Sequence, residues 1–120
     1  MAITPTHIKR DLGEVWNLIS GGTTTTVVQE QITKAENIIR SITGTTAGYG
    51  EAIRHLADAF ICQQVLGSRK VTNVGIEGIT IGDVDIKEMR DKFIEYAELS
   101  LKIKGYSLDG KRIRFDTVDR

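Results

Sequence analysis

Apolar residues recur at helical spacing in four segments of this chain. In the first segment, they repeat every three or four residues as far as Ile19. Thr4 is suited to the N-cap and Pro5 to the first helical position, so the first helix is predicted to begin there. Gly21 and Gly22 end it. The apolar stripe of this helix consists of Ile8, Leu12, Val15, Trp16 and Ile19.

Two further helices follow before the pattern changes. The second is predicted to start at a capping box formed by Thr26 and Gln29. Its stripe contains Val28, Ile32, Ala35, Ile39 and Ile42. The third runs from about Glu51 to Leu66, with Gly67 as its predicted C-cap. The third is the most apolar, so we interpret it as the central helix, buried on more than one side.

A strand pattern interrupts the helices between Gly75 and Ile86. The Gly82-Asp83 pair is suited to a two-residue hairpin turn, because glycine readily adopts a positive φ. With this turn, Ile81 is predicted to lie opposite Val84, and Ile79 opposite Ile86. These apolar residues then share one face of a hairpin over residues 75–86, since side chains alternate along a strand.

The fourth helix follows the predicted hairpin. Asp85 and Glu88 match a second capping box, and Gly105 ends the helix after Lys104. Its stripe contains Met89, Phe93, Ala97 and Leu101. The predicted fold is mainly α: a bundle of about four helices, with a β-hairpin before the last helix and an extended C-terminal tail.

The domain organisation predicted is a helical unit over residues 1–105 and a docking tail over residues 106–120. Residues 112–116 of the tail alternate between polar and apolar side chains, as an edge strand does. Because the tail is too short to form its own sheet, two alternatives stay open. It docks on its own domain, or it adds an edge to another subunit.

Composition and charge limit the classes of function. The chain has 120 residues, with 16 basic and 16 acidic side chains, so its net charge is zero. A zero net charge argues against a dedicated nucleic-acid binder and is compatible with self-association. The single cysteine, Cys62, excludes an intrachain disulfide framework and a cysteine zinc site. We expect no signal peptide and no membrane span, hence a product or particle made inside a cell.

Few residues are candidates for chemistry. His7 and His55 are the only histidines, and neither has another ligand residue at metal-binding spacing. His55 is three residues before Asp58, so the two are predicted to interact on the surface. Cys62 lies on an apolar helix and is interpreted as a small buried residue. Trp16 is interpreted as a core residue.

Two charged groups have simple structural interpretations. Asp83, Asp85 and Glu88 are explained by a turn and a helix cap rather than by a bound cation. Lys111, Arg112 and Arg114 alternate with acidic residues, which favours a solvated or inter-subunit face over a DNA-binding surface. We therefore predict no catalytic, cofactor-binding or metal-binding residues, and no enzymatic activity.

The order of elements resembles one protein family, the head–tail connector or adaptor proteins of tailed bacteriophages. Several members are helical bundles interrupted by a β-hairpin before a last long helix. The most specific local similarity is the segment Ile79-Thr80-Ile81-Gly82-Asp83-Val84-Asp85-Ile86, which is similar to the strand, Gly-Asp, strand hairpin of these connectors. The first helix with Trp16 is longer than in the most compact members.

The resemblance implies a structural protein of the virion neck, made in the host cytoplasm. Such a protein forms a ring of about twelve copies below the portal protein, and it leads to a stopper or tail-completion protein. It extends and seals the DNA channel, through which DNA passes without specific binding. The expected subunit or partner interface comprises hairpin and tail residues: Ile79, Ile81, Gly82, Asp83, Val84, Ile113, Phe115 and Val118.

Two alternatives come from other classes of function. The first two helices, joined through Gly21 and Gly22, are also compatible with a helix-turn-helix in a small DNA-binding packaging or regulatory protein. The zero net charge and the threonines at positions 23–26 weaken this reading. An enzyme subunit is the third hypothesis, and it has the least support because no active-site motif is present.

Overall fold

The structure, a computed structural model, describes residues 3–19, 24–68, 73–76 and 79–108. It is mainly helical, as the sequence predicts. The described residues form α1 (Pro5–Leu12), a 3₁₀ helix (Gly13–Leu18), α2 (Thr24–Thr43), α3 (Gly50–Ser68), β1 (Asn73–Ile76), β2 (Ile79–Gly82) and α4 (Asp83–Ile103). The predicted bundle of four α-helices is therefore confirmed.

The start of α1 is capped as predicted, with one addition. Thr4 occupies the N-cap with an extended backbone, and Pro5 follows it. The Thr4 backbone N–H donates a 3.0 Å hydrogen bond to Nδ1 of His7, which replaces the Glu or Gln of a capping box. The α-helix ends earlier than predicted, because Gly13 has a φ of +57° and the chain continues as a 3₁₀ helix.

The predicted caps of α2 and α3 are wrong. The second helix begins at Thr24, so Thr26 lies inside its first turn rather than at its N-cap. The third helix continues through Gly67 to Ser68, so Gly67 is not a C-cap. In both cases the tertiary packing extends the helix beyond the local stop or start signal, which is a weak determinant of helix ends.

The predicted hairpin over residues 75–86 is wrong in its turn and register. Instead, β1 pairs with β2 in antiparallel register, with Val74 opposite Ile81 and Ile76 opposite Ile79. Residues Asp83 to Ile86 belong to α4. Ile86 is fully buried on this helix, and its place in the core favours the helical conformation for the segment that was predicted to be the second strand.

The fourth helix consequently has no capping box at Asp85 and Glu88. Both residues are exposed in its first two turns, where acidic side chains interact favourably with the helix dipole. Its C-terminus is closed by Gly105, as predicted, with a φ of +87°. The Tyr106 N–H donates to the Leu101 carbonyl at 2.9 Å and the Gly105 N–H to the Lys102 carbonyl at 3.0 Å, which is a Schellman motif.

The core lies around α3, which packs against α4, α2 and α1. This confirms its predicted central position. Trp16 is half-buried and packs against the core, as predicted. The described core residues are Ile8, Leu12, Val15, Val28, Ile32, Ala35, Ile39, Ala52, Ile53, Leu56, Ala57, Phe60, Ile61, Cys62, Val65, Leu66, Ile86, Ala97, Leu101 and Leu108.

The first residues after α4 return to the helical unit. Leu108 is buried, and its backbone N–H donates to Glu98 Oε1 at 2.6 Å. Tyr106 makes an edge-to-face contact with Tyr49, with ring centroids 6.0 Å apart. Lys104 donates to the Gly48 carbonyl and lies over the Tyr49 ring. Residues 106–108 therefore dock on their own chain, while the rest of the predicted tail lies outside the described residues.

Candidate functional site

A cluster of two acids and a histidine lies between α1 and α3. Asp11 comes from α1, and His55 and Asp58 lie three positions apart on α3, which places them on one face of the helix. One side-chain ligand atom from each residue lies within 4.8 Å of the other two. We call Asp11, His55 and Asp58 the acidic cluster. No other group of this kind occurs among the residues that the structure describes.

Asp58 is the most unusual member of this cluster. It is 0% exposed, and neither of its carboxyl oxygens has a hydrogen-bond donor among the described residues. Burial, together with the neighbouring Asp11 carboxylate, raises the pKa of Asp58 to about 11. A protonated Asp58 donates to Asp11, so the two carboxyl groups share one proton. Since Asp58 exposes no atom, it is placed to hold a proton or an ion rather than to contact a substrate.

Arg54 fixes the position of Asp11. Its Nε and Nη2 atoms donate to the two Asp11 carboxylate oxygens at 2.7 and 2.8 Å, which is a bidentate ion pair between α3 and α1. Burial alone would raise the pKa of Asp11, but the hydrogen bond from Asp58 and the Arg54 guanidinium outweigh it and lower the pKa. Asp11 is therefore the ionised carboxylate of the pair and Asp58 the neutral one.

His55 connects the acidic cluster to α4. Its Nδ1 atom lies 3.7 Å from Asp58 Oδ2, and its Nε2 atom lies 3.7 Å from Glu51 Oε1. Burial, followed by the nearby Arg54 charge, lowers the pKa of His55. The imidazole stacks on Phe93 at 6.0 Å and contacts Tyr96 at 5.4 Å between ring centroids. The predicted surface pair of His55 and Asp58 is wrong in its location, because Asp58 is fully buried.

We expect that replacing Arg54 with Met reduces the free energy of unfolding by about 2 kcal/mol, because it leaves the partly buried Asp11 carboxylate without its cation. Arg54 is about one-third exposed, so the loss is smaller than for a fully buried pair. Urea denaturation measures the change as a lower midpoint at constant slope. Arg40→Met is the matched control, since exposed Arg40 donates only to Asn37 of its own helix among described contacts. An equal loss in both variants would contradict the role given to Arg54.

A second feature is an apolar stripe on the outer face of α4. Tyr96, Leu99 and Ile103 are spaced by three and four residues and are 44%, 53% and 84% exposed. The opposite side of the same helix is buried against α3 through Ala97 and Leu101. We call Tyr96, Leu99 and Ile103 the α4 outer stripe. A helix with two apolar sides requires a second partner to cover the one that its own core leaves exposed.

The core also contains a charged residue and the cysteine. Arg90 of α4 is 7% exposed, and its Nη1 donates to Gln63 Oε1 of α3 at 2.7 Å. Asp91 accepts from Nε and Nη2 of the same guanidinium. Cys62 is fully buried, as predicted, and burial raises the pKa of its thiol to about 12. A thiol in this state is a weak nucleophile at neutral pH, because the thiolate is the reactive species.

The predicted interface residues fall in three places. Ile79, Ile81 and Gly82 lie in β2, and Asp83 and Val84 begin α4. The remaining predicted positions, Ile113, Phe115 and Val118, lie outside the described residues. The described part of the chain does not test whether any of these positions contacts another subunit.

Sequence reasoning missed the residues that the structure brings together. Arg54 and Asp11 are 43 positions apart, and no local pattern connects them. Leu99 and Ile103 did have a signal, because with Tyr96 they form a second stripe at helical spacing on α4. His7, which was considered only as a ligand or catalytic residue, serves as a helix cap.

The helix-turn-helix alternative is not favoured by the connection between α1 and α2. That motif joins its helices through a turn of three to four residues. Here residues 13–23 separate the two helices, and they include the 3₁₀ helix Gly13–Leu18.

Comparison with protein-family models, with curated proteins and with solved structures finds no match for this chain. Across the part of the chain that the structure describes, every helix is too short or too polar to cross a membrane.

Proposed function

We propose that this protein is a structural component of a virus particle that assembles with copies of itself into a head–tail connector ring. The observation that carries the proposal is the α4 outer stripe, which exposes three large apolar side chains on a helix whose other side is already packed. Apolar surface of this kind is stabilised when another molecule covers it, at about 25 cal/mol per Å² buried.

The order of elements supports the same proposal. A short antiparallel strand pair, Asn73–Ile76 with Ile79–Gly82, directly precedes the last long helix. This corresponds to the helices, strands, helix order of the connector family, although the pairing differs from the hairpin on which the resemblance was first based. The strands also have outer edges, and an extended segment from another subunit can pair with such an edge.

Head-to-tail contacts between copies lead to a ring when the rotation between subunits closes. In the proposed neck location, the ring would bind the portal protein on one side and a stopper or tail-completion protein on the other. DNA would pass through its centre without specific binding, and the zero net charge of the chain is compatible with this passage. This role requires no catalysis and no membrane.

Native mass spectrometry and negative-stain electron microscopy of the purified full chain test this proposal. We expect closed rings of a single stoichiometry, or a monomer that forms such rings when the portal protein is added. A chain that stays monomeric with and without its portal would overturn the proposal. A gel-shift titration distinguishes the DNA-binding alternative, which predicts strong binding that falls steeply with salt.

A further inference from the structure

The acidic cluster has the donor atoms of a metal site. Asp11 and Asp58 offer carboxylate oxygens and His55 offers Nδ1, all within 4.8 Å of one another. Ligand atoms around one zinc ion lie about 3.3 Å apart, given metal–ligand bonds of about 2.0–2.1 Å. Small side-chain rotations therefore bring the three atoms to coordination distance. Two of the ligands come from a single helix, which fixes their relative position.

The unsatisfied atoms of the cluster point to a ligand. Both Asp58 oxygens and His55 Nδ1 are buried and have no hydrogen-bond partner among the described residues. Buried polar atoms without partners are costly, and an unplaced ion is one of their ordinary explanations. These are the same atoms that face one another across the cluster, with His55 Nδ1 3.7 Å from Asp58 Oδ2.

The surrounding residues match the outer shell of a metal site. A metal-bound histidine usually donates its other ring nitrogen to a carboxylate, and His55 Nε2 faces Glu51 Oε1 at 3.7 Å. Ligating carboxylates are themselves held by hydrogen bonds, and Arg54 holds Asp11 through two. The charges also balance, because two carboxylates neutralise a dication while Glu51 lies 3.5 Å from the Arg54 guanidinium.

We infer that Asp11, His55 and Asp58 bind a divalent transition-metal cation of the zinc class. The imidazole nitrogen favours zinc or cobalt over magnesium, which prefers oxygen ligands. The ion would join α1 to α3 in the core of the subunit and replace the shared proton between the two acids. The inference is independent of the proposed ring, since it concerns the interior of one subunit.

The experiment uses full-length protein stripped with EDTA and then titrated with ZnCl₂, CoCl₂ or MgCl₂. We expect 1:1 binding of zinc by calorimetry and a melting temperature several degrees higher at saturation, because ligands of the native state stabilise it. Magnesium should give no shift. Cobalt should give visible absorption bands without the near-ultraviolet bands of a thiolate ligand, since Cys62 is not in the set.

Variants decide whether the cluster is the site. Asp58→Asn preserves the shape of the side chain and should abolish 1:1 zinc binding. Glu51→Gln changes an exposed side chain and should weaken binding about 10- to 100-fold, which keeps the test valid if the Asp58 variant does not fold. His7→Gln is the matched control, because it removes the other histidine and Gln can still accept the Thr4 N–H. Absence of zinc binding in the wild type, unchanged binding in Asp58→Asn or Glu51→Gln, or loss in His7→Gln would overturn the inference.

Discussion

Replacing Leu99 and Ile103 together with Gln is expected to abolish ring assembly while leaving the subunit folded. Both side chains are more than half exposed, so their loss removes little from the core. If the α4 outer stripe is the subunit interface, each truncated apolar anchor costs about 1–2 kcal/mol of association. Two such losses weaken each contact at least about 30-fold, and a closed ring multiplies the effect over every contact.

Sedimentation velocity at several protein concentrations measures the assembly, and circular dichroism checks that helicity is retained. The matched control replaces Glu95 and Lys102 with Gln, because both are exposed residues of α4 outside the stripe. Gln has good helix propensity at all four positions, so the two double variants differ only in the apolar surface they remove. If the Leu99 and Ile103 variant assembles like the wild type, the stripe is not the interface.

The second large effect concerns Asp58. In buffer containing EDTA, we expect Asp58→Asn to become progressively more stable than the wild type as the pH rises above about 4. Below that pH, the Asp58 carboxyl is protonated in both folded and unfolded chains. Above it, the unfolded chain releases the proton, while the folded chain retains it because the pKa of Asp58 is raised to about 11. The wild type therefore loses about 1.4 kcal/mol per pH unit relative to the variant.

By pH 7 this difference reaches roughly 4 kcal/mol, provided that the Asn side chain fits the Asp58 site and donates to Asp11. Urea denaturation of both proteins at pH 4.5, 5.5 and 7 measures it. Asp85→Asn is the control, since Asp85 is exposed and its replacement should stay within about 0.5 kcal/mol of the wild type. A constant difference between wild type and Asp58→Asn across this range would show that Asp58 is ionised in the folded protein.

The strand pair shows where sequence reasoning reached a correct pattern and a wrong pairing. The alternation of Ile79 and Ile81 identified a strand, and the structure places both in β2. Alternation alone does not say whether the partner strand comes before or after. Pairing with residues 84–86 would remove Ile86 from the position on α4 where it is fully buried. The chain pairs instead with Asn73–Ile76, and the core burial of Ile86 is the physical reason.

The acidic cluster shows the opposite case, in which the sequence gives half of a site. His55 and Asp58 are at i and i+3, so their proximity follows from helix geometry. Asp11 comes from another helix, and only the packing of α1 on α3 brings it to the other two. The same packing buries Asp58, which a helical wheel of α3 does not predict, because α3 is covered on several sides.

The sequence by itself determined the four helices, the central place of α3, the cap at Thr4 and Pro5, and the end of α4 at Gly105. These features depend on residues close together in the chain, where the periodicity of apolar side chains and the backbone freedom of glycine act directly. The strand partner, the burial of Asp58 beside Asp11, and the exposure of the α4 outer stripe were decided only by the tertiary structure. Each depends on which distant segment covers a given surface, and burial of that surface is a property of the whole fold.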